Sequence, residues 1–291
     1  MVVKIRRDKN SLVFFDNSNG TKLRLSLGSY NKAKRPELVD IKITDYCAFG
    51  CSFCYQASTL QGQHSTVENM DFVIDELRKA RVFEVALGGG EPTDHPHFKE
   101  ILKKFHNAGI VPNFTTKSMG WVKRNWAEIA PYTGAFAFSA EKVSDLNSAD
   151  IMFKDIPRER INIHYIMGLC SEREFIAFMK RASELNFPVT LLGYKTVGRG
   201  DEVTHTTYDW WIRAVGLLQA LDCCPTFSID TPLAEQYADR LPVDKRLFHT
   251  REGFVSAYID AVAMKMGASS FENLESLVPF DKQWLVRYAS I

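Results

Sequence analysis

Long apolar runs are missing from this chain, and none approaches the ~20 residues that a helix needs to cross a bilayer. An excess of either charge is missing too. Across 291 residues, 36 Lys and Arg stand against 35 Asp and Glu, a formal net charge of +1. That balance removes the simplest argument for a nucleic-acid surface, so neither a nucleic-acid nor a membrane partner is expected. The opening MVVKIRRDKN is charged and has no apolar segment of the kind a secretory signal carries. The expected setting is a reducing cytoplasm. There the six cysteines (47, 51, 54, 170, 223 and 224) read as thiols or metal ligands rather than disulfides. Internal repeats, low-complexity tracts and long linkers are also absent. With 45% hydrophobic residues, the chain can bury a substantial core without covalent staples.

What is present falls into three stretches. Residues 1–36 alternate apolar and polar positions, with a turn signal at Asn17-Ser18-Asn19-Gly20, and predict a small hairpin or three-stranded sheet. Residues 37–230 alternate strand-like and helix-like runs. Strands are expected near 39–44, 82–87, 110–115, 134–139, 160–167, 188–194 and 225–230, and helices near 67–80, 97–107, 121–129, 171–185 and 207–221. This spacing predicts an α/β fold with a parallel sheet and right-handed crossovers. Six or seven units suit a partial (β/α)6 TIM-like barrel. Residues 231–291 lose the periodicity and read as a short C-terminal extension. In it, 241–249 is polar, 255–264 is open to either strand or helix, and 281–290 is a short amphipathic helix.

Barrels of this kind carry their chemistry in loops at the carboxyl ends of strands. Directly after the first expected strand stands Cys47-Ala-Phe-Gly-Cys51-Ser-Phe-Cys54. Spacing alone leaves three options. These are a zinc site with His64 as fourth ligand, a redox pair of Cys51 and Cys54, or a cubane iron–sulfur cluster with one open iron. A second motif, Gly88-Gly89-Gly90-Glu91-Pro92, follows the second strand. Glycines at a strand end let backbone approach a ligand, and a glutamate there can accept hydrogen bonds from an amino group.

C-x3-C-x2-C after strand one together with Gly-Gly-Glu-Pro after strand two resembles the radical S-adenosylmethionine (SAM) superfamily, over roughly residues 37–200. The resemblance implies that Cys47, Cys51 and Cys54 ligate one oxygen-sensitive [4Fe–4S] cluster. It implies that Phe53 lies near the adenine of SAM and that Gly89, Gly90 and Glu91 receive its methionyl amino group. Looser matches follow. Thr115 and Thr116 stand where the family often has Thr-Asn-Gly, with Lys117 in the place of the Asn. Ser139 matches a position that meets the SAM ribose or carboxylate, and Glu141, two residues on, shares its side of the strand. His164 lies in strand five, and Arg199, between two glycines after strand six, is placed to meet a carboxylate. Cys170, after strand five, is a candidate hydrogen-atom donor. Cys223 and Cys224 lie at the opposite strand end without cluster spacing.

The reaction implied is reductive SAM cleavage to a 5′-deoxyadenosyl radical, which abstracts hydrogen from a substrate. An external flavodoxin- or ferredoxin-like electron donor is implied. The N-terminal strands could present an edge to an extended peptide. The tail resembles the C-terminal module of peptide-modifying members, without its cysteines. A peptide is therefore the expected substrate and a single cluster the expected content. The alternatives are a small-metabolite or nucleotide-like substrate, or a non-catalytic metal-binding scaffold.

Overall fold

The computed structural model describes the chain except for residues 1–2, 19, 29–30, 206, 243, 245–249 and 273–274. Asn19 of the expected turn and most of the polar 241–249 stretch thus lie outside the described residues. The alternating N-terminal run forms β1 (Val3–Asp8), β2 (Ser11–Asp16) and β3 (Lys22–Ser26), an antiparallel sheet in the order β1-β2-β3. One face buries Val13 and Phe15, and the Phe15 ring stacks on Phe83 at 5.2 Å. Beside them a buried ion network holds the sheet in place. Arg6 donates to the carbonyls of Pro36 and Arg35 at 2.9 and 2.8 Å, and Glu37 is paired with Arg6, Lys22 and Arg24. The opposite face leaves Ile5, Leu23 and Leu25 exposed.

The main sheet follows the expected alternation. Seven parallel strands run in sequence order: β4 (Leu38–Thr44), β5 (Glu84–Gly89), β6 (Val111–Thr116), β7 (Phe136–Ser139), β8 (Ile161–Ile166), β9 (Val189–Leu192) and β10 (Phe227–Ile229). The helices between them are α1 (Val67–Ala80), α2 (Phe98–Asn107), α3 (Met119–Ile129), α4 (Val143–Met152), α5 (Glu172–Glu184) and α6 (Trp211–Ala220). Local signals fix several ends. Thr66 caps α1 by accepting from the Asn69 amide, and Ser171 and Glu174 close a reciprocal capping box on α5, an arrangement worth about 1 kcal/mol. Helix α4 has no counterpart in the sequence reading. Its apolar residues do not gather on one side: Leu146 and Ala149 are buried while Ile151 is exposed. The 3.6-residue signal is therefore blurred.

The last stretch is woven into the same sheet. After α7 (Thr231–Gln236), β11 (Ser256–Asp260) pairs in parallel with β4, and β12 (Lys265–Gly267) and β13 (Val278–Pro279) follow antiparallel, before α8 (Trp284–Ser290). The full order is β10-β9-β8-β7-β6-β5-β4-β11-β12-β13. Asp260 opposes Lys42 in register and pairs with its ammonium at 2.6 Å.

Alternate residues of each strand face opposite sides. Val39, Ile41 and Ile43 of β4 and Ile161, Ile163 and Tyr165 of β8 join the helices in one apolar core. Asp40 and His164 take the other side. The Lys195 charge acts on Asp40 of β4, on His164 of β8 and on Asp230 after β10. One ammonium can reach strands that far apart in order only if the sheet is rolled. The architecture is thus a partial barrel with a polar lumen, closed on the convex side by helices.

Candidate cluster and cofactor site

The cysteine loop leaves β4 and is folded back by the chain that follows it. The Cys47 amide donates to the Thr59 carbonyl at 3.0 Å, and the Thr59 amide donates to the Asp45 carbonyl at 3.2 Å. The Cys54 and Ala57 amides close turns onto Cys51 and Cys54. None of the six cysteines is in a disulfide, and Cys47, Cys51 and Cys54 are each half-buried. Burial pushes the Cys47 thiol up, so a thiolate there gains from a bound cation. Among the described residues, no three His, Cys, Asp or Glu side chains converge as a single metal ion needs. Zinc draws all its ligands within ~2.0–2.3 Å of one centre, whereas a cubane spreads its cysteine sulfurs over separate irons. The donor set therefore fits a [4Fe–4S] cluster with one open iron.

The glycine tract at the end of β5 divides its work. Gly89, at φ +112°, and Gly90 lie against the β4 loop. A Cβ on Gly89 would stand 2.4 Å from the Thr44 carbonyl oxygen, and one on Gly90 would stand 2.0 Å from that of Tyr46. The same contact carries two hydrogen bonds, from the Gly90 amide to Thr44 at 2.7 Å and from the Glu91 amide to Tyr46 at 2.9 Å. The two motifs are thus one object. Gly88 does something else: a Cβ there meets nothing within 4 Å, so the strand end offers an open floor that a side chain would fill.

Glu91 is 3% exposed, and burial raises its carboxyl above the usual range against the pull of its hydrogen bonds. Oε1 accepts from the Thr93 amide at 3.2 Å and from the hydroxyls of Thr93 and Thr116 at 2.6 Å. Among the described residues, Oε2 accepts only the Lys117 amide, at 2.9 Å. A carboxylate offers about four acceptor sites, so Oε2 keeps capacity for an amino group. Thr116 is thereby a residue that aims Glu91, and Thr115 takes the lumen side of β6.

Ser139 and His164 are register partners on β7 and β8. Enclosure in the lumen, with Lys195 nearby, lowers His164 to about 4, so its imidazole is neutral at pH 7. Burial raises Asp40 to about 6 and Glu252 to about 7. Cys170 is 8% exposed on the helix side of β8, hydrogen-bonded to the Tyr165 hydroxyl, whose ring lies 4.1 Å from that of Phe178.

Two residues do more than their sequence positions foretell. Arg199 grips the cysteine loop. Its amide donates to the Cys54 carbonyl, Nε to that of Cys51 and NH1 to that of Ser58, each at 3.0 Å. Its neighbour Gly198, at φ +58°, lies where a Cβ would stand 2.4 Å from the Tyr55 carbonyl oxygen. The C-terminal stretch grips the loop from another side. Gln56 Nε2 donates to the Ser270 carbonyl at 3.0 Å, and the Ser270 hydroxyl donates to that of Tyr55 at 3.2 Å. Lys117, read from the sequence only as a departure from Asn, enters the site itself. Its ammonium stands 3.2 Å from Cys51 Sγ and 5.2 Å from the centroid of the Phe53 ring, and it pairs with Glu141. The glycines flanking Arg199 were the available hint for the first. Nothing local marks the second.

Comparison with known proteins agrees with this geometry. The model of the radical SAM superfamily matches residues 41–220. A PqqA peptide cyclase of Ruegeria pomeroyi is 27% identical over 81 residues, which is 27% of this chain and 22% of that protein. The mycofactocin maturase MftC of Mycobacterium ulcerans is 37% identical over 73 residues, 24% of this chain and 20% of that protein. The matched stretch thus spans about a fifth of the length of these curated relatives. Among solved structures, Streptococcus suis SuiB bound to its precursor peptide SuiA superposes with a TM-score of 0.74 at 13% identity. That match covers 98% of this chain and 87% of SuiB. Native anSMEcpe with bound AdoMet and a Cp18Cys peptide gives 0.54 at 12% identity, over 83% of this chain and 76% of that one. These likenesses show the same fold. With the family model spanning more than half of the residues, and the cysteine loop and the glycine–glutamate tract built as one unit, the chain belongs to the radical SAM superfamily.

Proposed function

We propose that this protein is a radical SAM enzyme that acts on a peptide. The observation that carries the reading is the hydrogen-bonded junction between the C-x3-C-x2-C loop and the Gly-Gly-Glu-Pro tract, which places three thiols beside a buried carboxylate with spare acceptor capacity. When bound, the cluster and SAM supply an electron and a 5′-deoxyadenosyl radical able to abstract hydrogen from substrate. Cys47, Cys51 and Cys54 would hold the cluster. Glu91, aimed by Thr93 and Thr116, would hold the methionyl amino group through Oε2, with Gly88 as the floor and Gly89 and Gly90 fixing the tract against the cysteine loop. Phe53 would lie along the adenine, Thr115, Ser139 and His164 would line the cofactor from the strands, and Glu141 from the loop after β7. Neutral His164 can donate or accept one hydrogen bond without adding charge. Arg199 would hold the loop in register. The partial barrel keeps water from the reacting carbon.

A peptide substrate is favoured by the names of the relatives, a peptide cyclase and a maturase, and by the SuiB and anSMEcpe folds solved with peptides bound. The electron would come from a flavodoxin- or ferredoxin-like donor. The test is anaerobic incubation of reconstituted protein with SAM and dithionite. The expected result is 5′-deoxyadenosine that disappears in Cys51→Ala. Product no higher than that control would instead indicate a scaffold without chemistry. Mass spectrometry of co-expressed short peptides separates the peptide reading from a small-metabolite one.

A further inference from the structure

The position of Lys117 is fixed from three sides. Its amide is held by Glu91 Oε2 at 2.9 Å, its side chain passes over Phe53, and its ammonium ends between Cys51 Sγ, at 3.2 Å, and the Glu141 carboxylate. The ammonium end is less open to solvent than its partner, 23% exposed for the Lys117 side chain against 41% for Glu141. The ammonium is aimed at a sulfur, with the Glu141 carboxylate on its other side. Chain distance adds to the point: 66 residues separate Lys117 from Cys51, so the contact is made by the fold and not by local chain geometry.

We propose that Lys117 is a positioning residue that sets the reduction potential of the cluster, by donating a charged hydrogen bond to the sulfur of Cys51. The inference rests on the reading of Cys47, Cys51 and Cys54 as cluster ligands. Hydrogen bonds to ligand sulfurs and local net charge are among the levers that fix iron–sulfur potentials. A cluster gains one negative charge on reduction. A nearby fixed cation favours that state, and a charge-assisted hydrogen bond draws density from the sulfur in the same direction. One electron enters from an external one-electron donor, no bond at Lys117 breaks, and its proton stays on Nζ. Glu141 anchors the ammonium and subtracts from its effect.

The competing role for this ammonium is to bind a carboxylate of SAM, and the two roles separate when SAM is left out. The experiment is an electron-paramagnetic-resonance redox titration of SAM-free, reconstituted protein, with iron counted per chain. Lys117→Met is expected to keep its iron and shift the midpoint to more negative potential. At a fixed poise its reduced-to-oxidised ratio falls about tenfold, which is about 59 mV for a one-electron couple. Lys117→Arg is expected to restore most of the shift. Glu141→Gln, which removes the opposing charge, is expected to move the midpoint upward. If Lys117→Met does not retain iron, Lys117→Arg and Glu141→Gln still decide the matter. SAM-free midpoints that all equal the wild type overturn the proposal, and weaker SAM binding in those same variants would assign Lys117 to the cofactor carboxylate. Wild-type protein that takes up no [4Fe–4S] cluster overturns both this proposal and the function on which it rests.

Discussion

The two ends of the rolled sheet use their polar groups in opposite ways. At the end where β4, β5 and β6 begin, Arg6, Arg24, Lys22 and Glu37 are mated to one another and to carbonyls of residues 35 and 36. At the end where those strands finish, Glu91 keeps one oxygen half-used, three thiols are outside any disulfide, and Lys117 hangs between two partners. Rigidity there comes from backbone contacts, through Gly89, Gly90, Gly198 and the Arg199 bonds, and not from pairing off the chemical groups. The difference separates what holds a fold from what performs a reaction. Charges at the first end are paired with one another, while at the second a carboxylate oxygen keeps acceptor capacity.

The comparison breaks hardest at the matched end. Glu37→Ala strands buried Arg6 and Arg24, and removing one partner of a buried pair costs about 3–5 kcal/mol. Chemical denaturation should show that loss, while the fraction still folded should bind iron normally. The second break lies between the ends. A carboxyl raised on folding binds its proton more tightly in the native state. The stability contributed by Asp40 is therefore complete below about pH 4 and lost as pH rises through about 6. Asp40→Asn, which mimics the protonated form, should be the more stable protein at pH 8, by roughly 2–3 kcal/mol. It should also flatten the stability profile between pH 4 and 7. A profile unchanged by the substitution would show that Asp40 is not the group responsible.

At the reactive end, Arg199→Ala removes two charge-assisted bonds to the cysteine loop, worth about 2 kcal/mol each. The expected outcome is an unchanged circular-dichroism spectrum with several-fold less iron retained through gel filtration, and partial recovery in Arg199→Lys. Full retention in the alanine variant would mean that the glycine contacts hold the loop alone. The smallest effect is expected at Cys170, whose thiol lies on the helix side. Cys170→Ala should cost about 1 kcal/mol and leave product and stereochemistry as they were. Altered product configuration would restore it as a hydrogen donor.

Much of this was legible in the chain. The cysteine spacing and the glycine–glutamate tract identify the two loops, because both need particular residues at fixed local offsets. The strand alternation from 38 to 229 follows from apolar periodicity. Three features were hidden, one by a blurred local pattern and two by distance along the chain. Helix α4 has no clean apolar stripe, since Ile151 faces solvent. The pairing of β11 with β4 joins residues more than two hundred positions apart, and the periodicity of 255–264 left even its type open. The hold of Arg199 on Cys51 spans 148 residues. Local pattern carries secondary structure, but which backbone carbonyl a guanidinium finds is decided by the assembled fold.

The pairing of β11 with β4 also imposes an order in time. The strand that delivers the cysteine loop is bounded on one side by β5 and on the other by Ser256–Asp260. During synthesis β4 and β5 emerge early, yet the second edge of β4 stays bare, and Lys42 lacks Asp260, until residue 260 has left the ribosome. The Ser270 contacts to Tyr55 and Gln56 come later still. Until then the loop is held by the glycine–glutamate junction and by Arg199, and the grip of the C-terminal stretch is added last.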